Sequence, residues 1–228
     1  MKKLFAVLML MIPILAMGGE GNERIVYNLK LGFIKGGEAK IDIADTTYEG
    51  KAADYYRLEV KTTGLADALY DVFDIYESIA NPETLLPYKS IRNVKERKYR
   101  YYNEVTYHRD VDSLYSQRSG MKYAPANVVD IITIFFYFTN QNYIEKINSD
   151  ELVTLPTMHA DEINNVDVKF LGFKTIKTKL GNLECYVLSP QVKKGKLLKR
   201  SDGIKFYITK ESKNNKAQRL SNEKTLFA

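Results

Sequence analysis

Residues able to do chemistry are few in this chain, and they lie far apart. His108 and His159 are the two histidines. They lie about fifty residues apart, and a metal site needs three or four converging His, Cys or carboxylates. His108-Arg109-Asp110 has the residue order of a kinase catalytic loop, but the Gly-rich loop, lysine and metal-binding Asp that would accompany it are absent. No nucleophile elbow, Walker sequence or dinucleotide fingerprint occurs. Asp71, Asp74 and Glu77 come nearest to a carboxylate cluster. On a strand, Asp71 and Glu77 share one face and Asp74 takes the other, whereas an acid–base pair must face one bond. Cys185 is the only cysteine, so no intrachain disulfide forms. Its alternation with Leu183 and Val187 turns it inward, where a thiol is usually inert. The reading is of a chain with no catalytic residue, no metal and no cofactor.

What remains is binding chemistry. The chain carries 17 Tyr and 10 Phe but no Trp. Packing is the default use of such residues, yet a curved sheet around a hydrophobic helix also leaves a groove for acyl chains. Phe33, Phe73, Phe135 and Phe138 are the candidate contacts for such a chain. A basic loop from Pro190 to Gly203 carries Lys193, Lys194, Lys196, Lys199 and Arg200. Lys194 and Lys199 are the candidates for an anionic headgroup.

The elements that must position these residues are mostly strands. Ile25, Tyr27, Leu29, Leu31 and Phe33 alternate with polar residues, the period-2 pattern of a half-buried strand. Gly36-Gly37 is read as the turn, with Ala39, Ile41 and Ile43 on the return. Tyr56, Leu58 and Val60 make a third strand. Leu65 to Leu69 reads as a short helical turn or a bent strand. Strands are expected over Val72–Ala80, Leu86–Val94 and Arg97–His108, with Asp110–Ser116 pairing in turn. One segment breaks the period. Pro125 and a capping Asn127 precede Val128, Val129, Ile131, Ile132, Ile134, Phe135, Phe136 and Phe138, which are apolar on nearly every face. That predicts a buried helix over about 128–138, too short to span a membrane. Hairpins resume with Val166, Val168 and Phe170, a bulge at Gly172, and a turn at Gly181-Asn182.

The first residues say where the chain is headed. Lys2 and Lys3, an apolar run from Leu4 to Met17, and the small residues Ala16-Met17-Gly18-Gly19 read as a secretory signal peptide over 1–18. The remainder, 19–228, is expected to be one domain with no stable membrane anchor. The formal net charge is +6, and losing Lys2 and Lys3 leaves +4. That is a mild excess with no basic stripe, so nucleic acid is not an expected partner. With one cysteine, an apolar core must hold the fold unaided.

The stretches Asn22-Glu23-Arg24-Ile25-Val26-Tyr27, Gly32-Phe33-Ile34-Lys35-Gly36-Gly37-Glu38-Ala39, Tyr70-Asp71-Val72-Phe73-Asp74, Leu85-Leu86-Pro87, Val129-Asp130, Tyr186-Val187-Leu188-Ser189-Pro190 and Gly203-Ile204-Lys205-Phe206-Tyr207-Ile208-Thr209 occur in a recognisable order. In that order they resemble the exported bacterial family called domain of unknown function thirty-one-oh-eight. The resemblance implies an antiparallel meander curled into a half-barrel, similar to the YmcC-like proteins. In shape this is related to the periplasmic carriers that hold lipoprotein acyl chains. It implies no catalytic residues.

The expectation is therefore a mostly β fold, an antiparallel half-barrel with one buried helix, exported to the periplasm. It is expected to bind a hydrophobic or amphiphilic ligand such as a lipid or lipid-linked glycan. The alternative is a non-enzymatic scaffold of envelope assembly that engages a protein partner through its sheet edges.

Overall fold

The computed structural model describes residues 9–16, 22–31, 34–138, 148, 152–178, 181–191 and 205–210. In the first sheet, nine strands follow in chain order, each antiparallel to the next. They are β1 (Met9–Ala16), β2 (Asn22–Leu31), β3 (Ile34–Tyr48), β4 (Lys51–Thr62), β5 (Phe73–Ala80), β6 (Pro87–Glu96), β7 (Tyr99–His108), β8 (Ser113–Ser116) and β9 (Gly120–Tyr123). The second sheet, curled as a half-barrel, holds β10 (Val129–Asp130), β11 (Leu152–His159), β12 (Glu162–Thr178), β13 (Gly181–Pro190) and β14 (Phe206–Thr209). Its strands are antiparallel except for the two-residue parallel pairing of β10 with β11. Among the described residues the α-helices are α1 (Leu65–Leu69) and α2 (Thr133–Tyr137), with a 3-10 turn at Arg109–Val111. Among the described residues no helix is long and apolar enough to cross a membrane.

The mostly β, antiparallel class follows from the alternation. Ile25, Tyr27 and Leu29 are all buried, as are Ala39, Ile43 and Tyr56 on the next two strands. Three details differ from the sequence reading. Gly36 and Gly37 are not the turn but lie within β3. Leu29 pairs with Gly37 and Lys30 with Lys35, so Gly36 is the extra residue of a bulge. A Cβ on Gly37 would stand 2.5 Å from the Lys61 carbonyl oxygen, so close strand approach, not turning, explains this glycine. The meander is also divided between two sheets instead of bending as one. Finally, Gly181 and Asn182 are strand residues, paired with Thr178 and Lys177, and so are not the hairpin turn. The expected bulge at Gly172 is present, as a register shift between Phe170 and Phe173 with Gly172 at φ 95°.

The helix expected over about 128–138 is the largest correction. Val129–Asp130 is strand, and the helix proper has five residues, Thr133–Tyr137. Asp130, not Asn127, starts it. The Asp130 carboxylate accepts the backbone N–H groups of Ile132 (2.8 Å) and Thr133 (2.7 Å), and the Asp130 N–H donates to Thr133 Oγ1 at 3.0 Å. This is the reciprocal arrangement of a capping box, and it satisfies donors that a helix start leaves open. The segment is apolar all round because it has a sheet on either side. Ile132 and Phe136 pack with Ile25, Tyr27 and Tyr56 of the first sheet. Ile134 and Phe138 pack with Leu155, Phe170 and Leu188 of the second. A further cluster of Val105, Tyr107, Leu114, Val128 and Met158 joins the sheets beyond the helix.

Phe136 is 2% exposed, and its ring lies 4.2 Å from that of Tyr56. Phe135 is only half-buried. Phe136→Ala is therefore expected to cost about 3–5 kcal/mol in urea denaturation, and Phe135→Ala clearly less. Equal costs, or the reverse order, would show that the helix presents a different face to the first sheet.

Candidate functional site

The inner face of the first sheet changes character along its width. Over β2–β4 it is apolar. Over β5–β8 it turns polar, with Ser78, Asn103 and Ser116 all buried. Cross-strand pairing of Leu58 with Tyr76, Tyr76 with Arg92, and Arg92 with Asn103 sets one continuous row. Val94 and Tyr101 form the next row. Residues directly opposite in an antiparallel pair point the same way, so Tyr76, Arg92, Tyr101 and Asn103 share the inner face. They form one wall of a small cleft, part of it open to solvent. The other wall comes from Ile131 and Ile132, ahead of α2, and from Met158 and His159 at the tip of the β11–β12 hairpin.

That hairpin is pinned in place. His159 pairs with Glu162 across a two-residue turn of Ala160 (φ 49°) and Asp161 (φ 68°). Positive φ at both positions is the type I′ geometry that matches strand twist. The Asp161 carboxylate accepts hydrogen bonds from Ser116 Oγ (2.6 Å) and Ser119 Oγ (2.9 Å) of the first sheet's edge, and Lys122 Nζ lies 3.4 Å away. Burial pushes this carboxyl up, but those donors outweigh it and hold it below the usual range.

Arg92 dominates the cleft electrically. Its Cζ stands 4.6 Å from the Tyr101 ring centroid and 5.8 Å from that of Tyr76. Nε and Nη1 are buried with no hydrogen-bond partner, and so is the Tyr101 hydroxyl. Arg118 covers Tyr101 as well, at 4.8 Å. His159 at the rim is held below its usual value, first by partial burial of the ring and then by the Arg92 charge. Among the described residues no group of His, Cys, Asp or Glu is arranged to hold a metal ion.

The sequence-selected residues lie elsewhere. Phe138 is 4% exposed within the core of the second sheet, and Phe135 packs against the same cluster. Phe73 is half-buried on β5, where strand alternation places it on the face opposite Asp74, Tyr76 and Ser78. Lys95 Nζ lies 5.8 Å from its ring. Phe33, Lys194 and Lys199 fall outside the described residues. The structure thus brings Phe135 and Phe138 together, but in packing, and it assembles Arg92, Tyr101 and His159, none of which the aromatic count singles out. Arg109, from the kinase-like tripeptide, is a strut. Its guanidinium donates to the carbonyls of Pro87 (2.8 Å) and Val128 (3.0 Å), and also to that of Ala126. Cys185 is fully buried, as its alternation predicted.

Comparison with known proteins adds the following. The family model described as "Protein of unknown function (DUF3108)" matches residues 26–224. No curated protein matches the chain. Among solved structures, a DUF1089 family protein from Pseudomonas aeruginosa aligns at 7% identity over 86% of this chain and 88% of that one, with a TM-score of 0.35. A likeness that loose carries no argument.

The lowered His159 value has a defined sign. A histidine whose pKa falls on folding adds stability above its unfolded value near 6.5, and loses it as pH drops through the folded value. In an NMR titration of the folded protein, the His159 imidazole is expected to titrate below 6.5 and to move up in Arg92→Gln. A value at or above 6.5 that is insensitive to Arg92 would separate the two side chains.

Proposed function

The chain belongs to the DUF3108 family of proteins of unknown function, and on that premise we propose that it binds an amphiphilic ligand, a lipid or lipid-linked glycan, in the cleft on the inner face of the nine-stranded sheet. The observation that carries this reading is the make-up of that cleft. Ile131, Ile132 and Met158 form an apolar wall, and Arg92 opposite them keeps two buried nitrogens without partners. Unpaired nitrogens on a half-buried guanidinium are costly unless something answers them. The deeper concave space is not offered to a ligand, because Phe136 and Ile132 fill it. A headgroup at Arg92 would lay its first methylenes against Ile131 and Met158, each adding about 0.8 kcal/mol once buried.

In this reading the protein acts by holding its ligand, without catalysis, in the periplasm. Residues 1–18 are its export signal. In the full chain Met9–Ala16 pairs along β2, from Met9 with Leu31 to Ala16 with Arg24. Cleavage after Gly18 removes that strand. One observation favours the second reading, a protein partner in envelope assembly: Leu65 and Leu69 on α1 are 77% and 78% exposed beside Tyr70. An apolar patch of that kind marks interaction surfaces.

Native mass spectrometry of protein purified from its own envelope tests the proposal. The expected result is an adduct of lipid mass that a cleft-filling Met158→Trp reduces. A bare mass together with a co-purifying protein that is lost in Leu65→Asp/Leu69→Asp would favour the partner reading.

A further inference from the structure

We propose that the Arg92 end of the cleft is an oxyanion subsite, so that the ligand enters with a phosphate or carboxylate headgroup against Arg92 and Tyr101. The inference rests on the amphiphile reading above and names the chemistry of its polar end. Four side chains converge there. Arg92 brings Nε and Nη1, Tyr101 brings its hydroxyl, and none of these three buried atoms has a hydrogen-bond partner. Buried polar atoms are paired in nearly all folded proteins, so three orphans at one end of one cleft call for a ligand. Arg118 stacks on the Tyr101 ring and adds a second guanidinium, while Glu77, Asp130 and Asp161 also line the cleft.

The neighbouring carboxylates are already engaged. Asp161 takes Ser116, Ser119 and Lys122. Glu77 takes the Tyr55 hydroxyl. Asp130 takes Ser78 and the start of α2. Asp74 accepts the Lys95 backbone N–H at 3.0 Å. Among the described residues none of these carboxylates is ion-paired or hydrogen-bonded with Arg92, and a guanidinium is the side chain suited to an oxyanion in such a place. The two ring faces flanking Arg92 restrict its movement, which lowers the ordering cost of binding.

The test uses the exported chain and three probes: inorganic phosphate, hexyl phosphate and the neutral hexyl glucoside. Calorimetric titrations are run at low and high salt on the wild type, Arg92→Gln and Arg92→Lys, with thermal melts as a check on folding. Hexyl phosphate is expected to bind most tightly and to weaken with salt. Arg92→Gln should lose tenfold or more for hexyl phosphate and less than twofold for hexyl glucoside, with Arg92→Lys in between. Equal binding of both hexyl probes, unchanged by Arg92→Gln, overturns the oxyanion subsite and leaves the amphiphile reading standing. Inorganic phosphate binding as tightly as hexyl phosphate, with loss in Arg92→Gln, supports the subsite and overturns the amphiphile reading. No saturable binding of any probe overturns both. If Arg92→Gln does not fold, the wild-type His159 NMR signal decides. Its titration midpoint should rise on saturation with hexyl phosphate and stay put with hexyl glucoside, and an unmoved midpoint overturns the subsite.

Discussion

The fold turns on one buried carboxylate. Asp130 belongs to β10 of the second sheet, yet its Oδ2 accepts Ser78 Oγ of the first sheet at 2.6 Å, while Oδ1 starts α2. It is 3% exposed. Burial drives this carboxyl above its usual range, against the hydrogen bonds from Ser78, Thr133 and Ile132 that pull the other way. The helix it starts has five residues, too few to stand by propensity. It forms because its beginning is capped and its sides are claimed by two cores.

Two latches then leave the cleft between them. Asp130 ties β10 to β5, and Asp161 ties the β11–β12 tip to the edge at Ser116 and Ser119. Between these points the sheets are held apart over the Tyr76–Arg92–Asn103 row, where the inner face is polar and does not close on itself. Apolar surface closes wherever it can. A stripe of Ser, Asn and Arg facing Ile131 and Met158 stays open because neither side gains by filling it. The same residues that make this row a poor core make it a candidate site.

The strands could be read from the chain because alternation is local. Ile25, Tyr27 and Leu29 announce their inward face by spacing alone. The division into two sheets could not be read that way, since it depends on which strand edge meets which. The glycines of β3 misled for a physical reason. Gly36-Gly37 looks like a turn, but glycine also serves close approach, and only the position of Lys61 tells the two apart. The start of α2 was legible in principle, because Asp130 and Thr133 stand at capping-box spacing; Asn127, two residues after Pro125, masked it. The site was the least legible part. On β6, Ile91 and Val94 fall on opposite faces, so no clean alternation marks Arg92 as inward. The phenylalanines drew attention by number, and number signals packing, as Phe136 and Phe138 show.

The interaction between Ser78 and Asp130 is the most direct place to test this view of the molecule. A double-mutant cycle with Ser78→Ala and Asp130→Asn, read by urea denaturation, isolates the contact that joins the two sheets. A hydrogen bond of this kind, buried and to a carboxylate, predicts a coupling of about 1.5–3 kcal/mol. Additivity within about 0.5 kcal/mol would contradict it, and would mean that this hydrogen bond does not join the two sheets.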